Sequence, residues 1–148
     1  MARPQKGILL VDDSQEDVEV IQRVLTTVGW RWPFHHCWTG DEALEFLRRR
    51  GPYANSPKAF RPGLVLLDLN LPGSDGRDVL QEIKSDPALQ TIPVLILTTS
   101  HHERDVQWCY QAGANSYVQK PVCLDDMCRA LRAVVDYWFH TVVLPPGE

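Results

Sequence analysis

Three short runs in this chain are apolar at nearly every position: Gly7-Ile8-Leu9-Leu10-Val11, Gly63 to Leu67, and Ile92 to Leu97. A strand with one wet face alternates apolar and polar residues. Continuous runs belong to strands covered on both faces, as in a parallel sheet. Parallel strands need a crossover between them, so helices must lie between these runs.

The intervening segments supply them. Ser14 offers an N-cap, Glu16 and Asp17 favour a first turn, and Val18, Ile21, Leu25 and Val28 follow at helical spacing up to Gly29. Phe34 to Trp38 reads as a second strand, and Thr39-Gly40-Asp41 opens a helix running through Ala43, Leu44 and Leu47 to Arg50. Gly51 to Pro62 has no periodicity and reads as a loop, long for a compact α/β unit. A turn and a helix carrying Val79, Leu80 and Ile83 follow the central run; a helix from Asp105 to Ala112 ends at Gly113. Ser116 to Gln119 is a short strand. The last helix places Leu124, Met127, Cys128, Leu131, Val134, Val135 and Trp138 on one stripe. The fold class expected is α/β: a doubly wound, five-stranded parallel sheet in one domain over residues 1–148, with a C-terminal extension at about 139–148.

In such sheets, chemistry gathers at the carboxyl ends of the strands, near the point where strand order reverses. Asp12 and Asp13 directly follow the first strand, Asp68 ends the third, Thr98 the fourth, and Lys120 the fifth, followed by Pro121. Three clustered carboxylates repel one another and shift each other's pKa. A hard divalent cation such as Mg²⁺ removes the conflict and often works beside a phosphoryl group.

These five positions together resemble the receiver domain of two-component response regulators, which has the (βα)5 flavodoxin-like fold, and the match runs from about Lys6 to Phe139. The resemblance implies that Asp68 accepts a phosphoryl group from the phosphohistidine of a sensor histidine kinase. It implies Mg²⁺ on Asp13, Asp68 and the backbone carbonyl of Asn70, with Asp12 orienting a metal-bound water. Lys120 pairs with the carboxylate or phosphoryl oxygens, and Thr98 and Tyr117 form the switch that alters partner binding. It also implies a cis peptide at Lys120-Pro121. The long loop and the aromatic tail are similar to small stand-alone receivers paired with phytochrome-type kinases.

Two other classes compete. An aspartyl-nucleophile phosphatase of the haloacid-dehalogenase kind carries D-x-D, whereas this chain has Asp68-Leu69-Asn70, an amide at the acid/base position. A flavin carrier needs a phosphate cradle after the first strand, where Asp12-Asp13 stands instead.

Composition bears on partners. The formal charge of −4 argues against a nucleic-acid module. No signal peptide and no apolar run of the ~20 residues needed to span a bilayer are present, which points to a cytoplasmic protein without a membrane partner. Cys37, Cys109, Cys123 and Cys128 lack C-x-x-C spacing and are expected as buried thiols. His35-His36 and His101-His102 are expected at the surface, with no third ligand spaced to join them. Arg48-Arg49-Arg50 is expected as a solvated helix end. Phe139, Val142, Val143 and Leu144 lie past the ordinary domain end and suggest a homodimer built on the tail. The alternative is a tail that folds back and caps its own domain.

Overall fold

The computed structural model describes residues 6–146; the N-terminal residues 1–5 and the final two residues of the expected domain lie outside it. Five parallel strands form the sheet: β1 (Gly7–Val11), β2 (Phe34–Cys37), β3 (Pro62–Leu67), β4 (Val94–Thr98) and β5 (Ser116–Gln119). Five helices alternate with them: α1 (Gln15–Thr27), α2 (Gly40–Arg48), α3 (Gly76–Ser85), α4 (Glu103–Gln111) and α5 (Leu124–Val135). The strand order is β2-β1-β3-β4-β5, so the direction of progression reverses between β1 and β3.

Alternation along the strands explains why the runs are apolar throughout. Ile8, Leu10, Leu64, Leu66, Leu95 and Leu97 pack with Val18, Ile21 and Leu25 of α1 and with Met127 and Leu131 of α5. Leu9, Val11, Val65, Leu67, Val94 and Ile96 face the other way, onto Phe46 of α2, Leu80 and Ile83 of α3 and Cys109 of α4. Each residue of these three central strands therefore has a dry neighbour on whichever side it points, whereas the edge strands β2 and β5 are only partly covered.

Local chemistry fixes the helix starts. Ser14 Oγ accepts from the Asp17 amide at 3.3 Å, Thr39 Oγ1 from the Glu42 amide at 3.2 Å, and Asp75 Oδ1 from the Arg77 amide at 2.9 Å. Most element boundaries fall within two residues of expectation, and two of the differences have a visible local cause. β2 stops at Cys37 because the Trp38 amide turns away to donate to Glu42 Oε2 at 3.1 Å. α4 opens at Glu103, since the His102 carbonyl already accepts from the amides of Asp105 and Val106. The long loop contains a 3₁₀ turn at Gly51–Tyr53, and its Tyr53 and Phe60 both pack edge-on against Phe46.

The C-terminal stripe reaches Trp138 only in part: that residue is packed against the α1–α5 cluster but not buried in it. After Val135 the helix widens into a π turn over Asp136–Thr141, in which the Val142 amide donates to the Tyr137 carbonyl at 2.9 Å. The change of period rotates Phe139 into the core, 4% exposed, and leaves Trp138 half-buried. Phe139 meets Trp30 edge-on at 4.7 Å, and Leu144 is also buried in the α1–α5 cluster. Of the four apolar tail residues expected to be free for a homodimer, Phe139 and Leu144 are buried and Val142 packs against the same cluster, so the extension caps its own domain as in the alternative reading, while Tyr137 and Val143 stay exposed. Leu124, expected on the buried stripe, is exposed, as is Val28, which caps the end of α1.

Three further expectations are corrected. Cys37 and Cys109 are buried, but Cys123 is exposed at the start of α5 and Cys128 is half-buried. His35 and His36 are half-buried, each with a hydrogen-bond partner: His35 lies under Phe46 of α2 and Tyr53 of the long loop, and His36 on the other face has Nε2 2.7 Å from the Asp12 carbonyl and meets Trp38 edge-on. His101 and His102 are exposed and stacked on each other. The Lys120-Pro121 peptide is trans, like every other peptide among the described residues; for an X-Pro bond trans is the lower-energy form by roughly 0.5–1 kcal/mol. No helix of the described residues is long and apolar enough to cross a membrane.

Candidate functional site

The register of the sheet brings the expected residues to one rim. Val11 is aligned with both Cys37 and Leu67, Leu67 with Ile96, and Thr98 with Gln119. The residues that follow these positions, Asp12, Asp68 and Lys120, end side by side. Backbone bonds lock them there: the Asp12 amide donates to the Cys37 carbonyl, the Asp68 amide to the Val11 carbonyl at 3.0 Å, and the Lys120 amide to the Thr98 carbonyl at 2.7 Å.

Lys120 is the centre of the cluster. Its Nζ, almost fully buried, lies 2.8 Å from Asp12 Oδ2, 2.8 Å from Asp17 Oδ2 and 2.9 Å from Asp68 Oδ2. The contact with Asp68 has hydrogen-bond geometry; Asp12 Oδ2 is in ion-pair contact but accepts no hydrogen bond. Burial alone would lower the Lys120 pKa, yet the three carboxylates outweigh it and raise it. Asp12 moves upward as well. Desolvation raises its pKa more than the Lys120 contact and the Ser14 amide lower it, and the charge of Asp68 adds to the rise.

Carboxylate oxygens of Asp12, Asp13 and Asp68 lie within 4.8 Å of one another. Asp13 is exposed and, with Asn70, Leu71 and Asp75, lines an open depression of about 420 Å³. This all-oxygen donor set fits a hard divalent cation. Asp68 Oδ1 also accepts from the Asn70 amide at 3.1 Å. Thr98, the last residue of β4, has a fully buried Oγ1 with no hydrogen-bond partner among the described residues.

Gly76 closes the loop behind Asp68. Its amide donates to the Leu69 carbonyl at 2.9 Å, and a Cβ there would lie 2.1 Å from the Asp68 carbonyl oxygen. Only a residue without a side chain permits that approach.

Beside the rim runs a polar chain in which sequence reasoning found Tyr117 but missed Arg77 and Asp105. Arg77 of α3 pairs with Asp75 at 3.1 Å and with Asp105 of α4. Ser100 Oγ donates to Asp105 Oδ2 at 2.6 Å, and the Tyr117 hydroxyl donates to the Ser100 carbonyl at 2.9 Å. The Ser100 hydroxyl and Arg77 together hold the Asp105 carboxyl below its usual range. Asp17 was likewise read only as a first-turn residue; no sequence signal marks its contact with Lys120, far along the chain.

Residues 8–132 match the response regulator receiver domain. The chain belongs to the response regulator receiver family. This receiver is 44% identical over 144 residues to the response regulator Rcp1 of Synechocystis sp., covering 97% of this chain and 96% of that protein. The Mn²⁺-bound form of Rcp1 has the same fold, with a TM-score of 0.88 at 45% identity over 95% of this chain and 99% of that one. The phosphorylated cyanobacterial phytochrome response regulator RcpA gives 0.89 at 41% identity, over 95% and 99%. The phosphatase reading has no support in these likenesses, and Asn70 indeed leaves the receiver without the second acidic group of that chemistry.

Proposed function

We propose that this receiver is a phosphorylation switch in which Asp68 takes the phosphoryl group from the phosphohistidine of a sensor histidine kinase. The observation that carries the reading is Lys120 Nζ held on Asp68 Oδ2 at 2.9 Å, with the buried Thr98 hydroxyl unengaged nearby in the rim. In the transfer, a phosphorus–nitrogen bond of the donor breaks as Asp68 oxygen bonds phosphorus, and the imidazole keeps its ring nitrogen's electron pair. Lys120 supplies positive charge to the transferring group, and the Thr98 hydroxyl donates to a phosphoryl oxygen.

Asp13, Asp68 and the Asn70 carbonyl would hold Mg²⁺, with Asp12 orienting its water. When bound, the cation neutralises charge on the phosphoryl oxygens. The receiver's own residues perform the transfer once the donor brings a reactive phosphate. With an amide at Asn70, loss of the phosphoryl group to water is slow.

The switch follows from occupancy. Turning Thr98 toward the phosphoryl group opens space beside Tyr117, whose hydroxyl then leaves Ser100; that rearranges the α4–β5 face offered to partners. The names of the relatives support a phytochrome-type kinase as the donor. A homodimer belongs to the same reading, through what the capped tail leaves outside: exposed Val143, and exposed Tyr137 at an apolar groove between β5 and α5 lined also by Leu95, Val118, Val134 and Trp138. Neither nucleic acid nor membrane is part of it.

Asp68→Asn tests the reading. It abolishes labelling by a small phosphodonor with Mg²⁺ while the circular dichroism spectrum is unchanged; undiminished labelling defeats the assignment.

A further inference from the structure

His35 and Cys37 are two apart on the edge strand β2 and so share one face of it. Glu42, in the first turn of α2, folds back over that face, held there by the Trp38 amide. Ligand atoms of His35, Cys37 and Glu42 all lie within 4.8 Å of one another. The cluster belongs to the side of β2 covered by α2 and the long loop, and none of its members serves the acidic rim.

We propose that His35, Cys37 and Glu42 form a second metal site, one that takes a borderline divalent transition cation of the Zn²⁺ class. The donor types decide the class. Imidazole and thiolate favour Zn²⁺ and its neighbours, whereas the carboxylate rim at Asp13 and Asp68 favours Mg²⁺. The surroundings are those of a built site. Cys37 is fully buried, and the His35 ring is stacked on Phe46 at 4.5 Å. The Tyr53 hydroxyl lies 2.9 Å from His35 Nε2 and donates to Glu42 Oε1 at 3.1 Å, so one outer group orients two ligands.

Binding must displace a proton. Burial raises the Cys37 pKa, so the sulfur is a thiol in the metal-free protein and its deprotonation is a cost that the metal–sulfur bond must offset. On binding, the S–H bond breaks, sulfur gives its electron pair to the metal, and the proton leaves to solvent. The site also adjoins the rim through the backbone, since the Cys37 carbonyl accepts from the Asp12 amide at 3.2 Å and His36 Nε2 lies 2.7 Å from the Asp12 carbonyl.

The test uses the full chain, reduced and saturated with Mg²⁺, titrated with Co²⁺ as the spectroscopic probe and then with Zn²⁺. A near-ultraviolet thiolate-to-cobalt band is expected, bleached by Zn²⁺. Cys37→Ser removes the band, Glu42→Gln weakens the affinity by at least the roughly 10–100-fold that loss of a mere orienting partner costs, and Asp13→Ala leaves the band in place. Absence of a thiolate band overturns the proposal. So does a Co²⁺ affinity that Asp13→Ala abolishes and Glu42→Gln leaves alone, because the ion then sits on the acidic rim. If Cys37→Ser does not fold, Glu42→Gln and His35→Gln decide on their own.

Discussion

The acidic rim and the aromatic tail occupy opposite edges of the sheet and are held in opposite ways. At the carboxyl edge, Asp12, Asp17 and Asp68 surround one buried ammonium, Lys120. At the amino edge, Trp30 and Trp32 receive Phe139, with Lys6 Nζ 4.8 Å above the Trp32 ring. The rim assembles groups that gain from solvent or from a cation, and the fold holds them together through the strands behind. The tail assembles groups that gain from leaving water, and they contribute to the hold. The rim is where stability is given up for chemistry; the tail is where some of it is recovered.

If that contrast is right, the largest stability loss comes from the tail and is blind to metal. Phe139→Ala removes a side chain that is 4% exposed and ringed by Trp30, Trp32 and the α1–α5 cluster. A loss of about 3–5 kcal/mol is expected. Denaturant melts should give the same loss with and without Mg²⁺, and labelling of Asp68 should persist wherever the variant is folded. A loss that Mg²⁺ repairs would break the comparison.

The rim should behave the other way. Lys120→Met keeps the bulk of the side chain but leaves three carboxylates without their cation. Breaking a buried pair in this manner costs about 3 kcal/mol or more. Here relief is at hand, because the carboxylates can take protons or a divalent ion. The expected loss in chelator therefore shrinks when Mg²⁺ is added, and labelling by a phosphodonor falls even in the folded variant. A metal-independent loss equal to that of Phe139→Ala would show that Lys120 acts there as packing.

The two regions also differ in how far the sequence discloses them. Asp12, Asp68, Thr98 and Lys120 were legible because one rule, chemistry at the carboxyl ends of parallel strands, converts strand ends into a shared place. Asp17 was not, since its reach to Lys120 depends on where α1 starts. Arg77 and Asp105 were not, since such residues on helix surfaces are ordinary until α3 and α4 are seen side by side. The tail was misread for a different reason. A 3.6-residue period puts Trp138 inward, and the π turn after Val135, which no local residue announces, turns Phe139 inward instead. The histidine pair was judged on its neighbours along the strand, while the third ligand, Glu42, came from the next helix and an orienting group, Tyr53, from the loop beyond.

The smallest effect sharpens the comparison through pH. Asp12 has its pKa raised from the ordinary 3.8, chiefly by burial. The folded state therefore binds that proton more tightly than the unfolded chain does. The stability this contributes is fully present below the unfolded value and is lost as pH rises through the folded one. At neutral pH the ionised Asp12 is a standing cost, which Asp12→Asn removes. Asp17 and Asp68 remain to hold Lys120 in that variant. In metal-free buffer with a chelator, the variant's melting temperature should gain on the wild type as pH climbs from 4 to 7, by on the order of 2 °C. Asp105 supplies the opposite control. Its pKa is lowered by Ser100 and Arg77, so its contribution is present above the unfolded value and lost as pH falls. Asp105→Asn should accordingly flatten the acid side of the profile and leave the neutral side lower. Differential scanning calorimetry across the range reads both. Parallel profiles for wild type and Asp12→Asn would mean that Lys120 fully compensates the burial of Asp12, and the rim would then cost the fold nothing at that position.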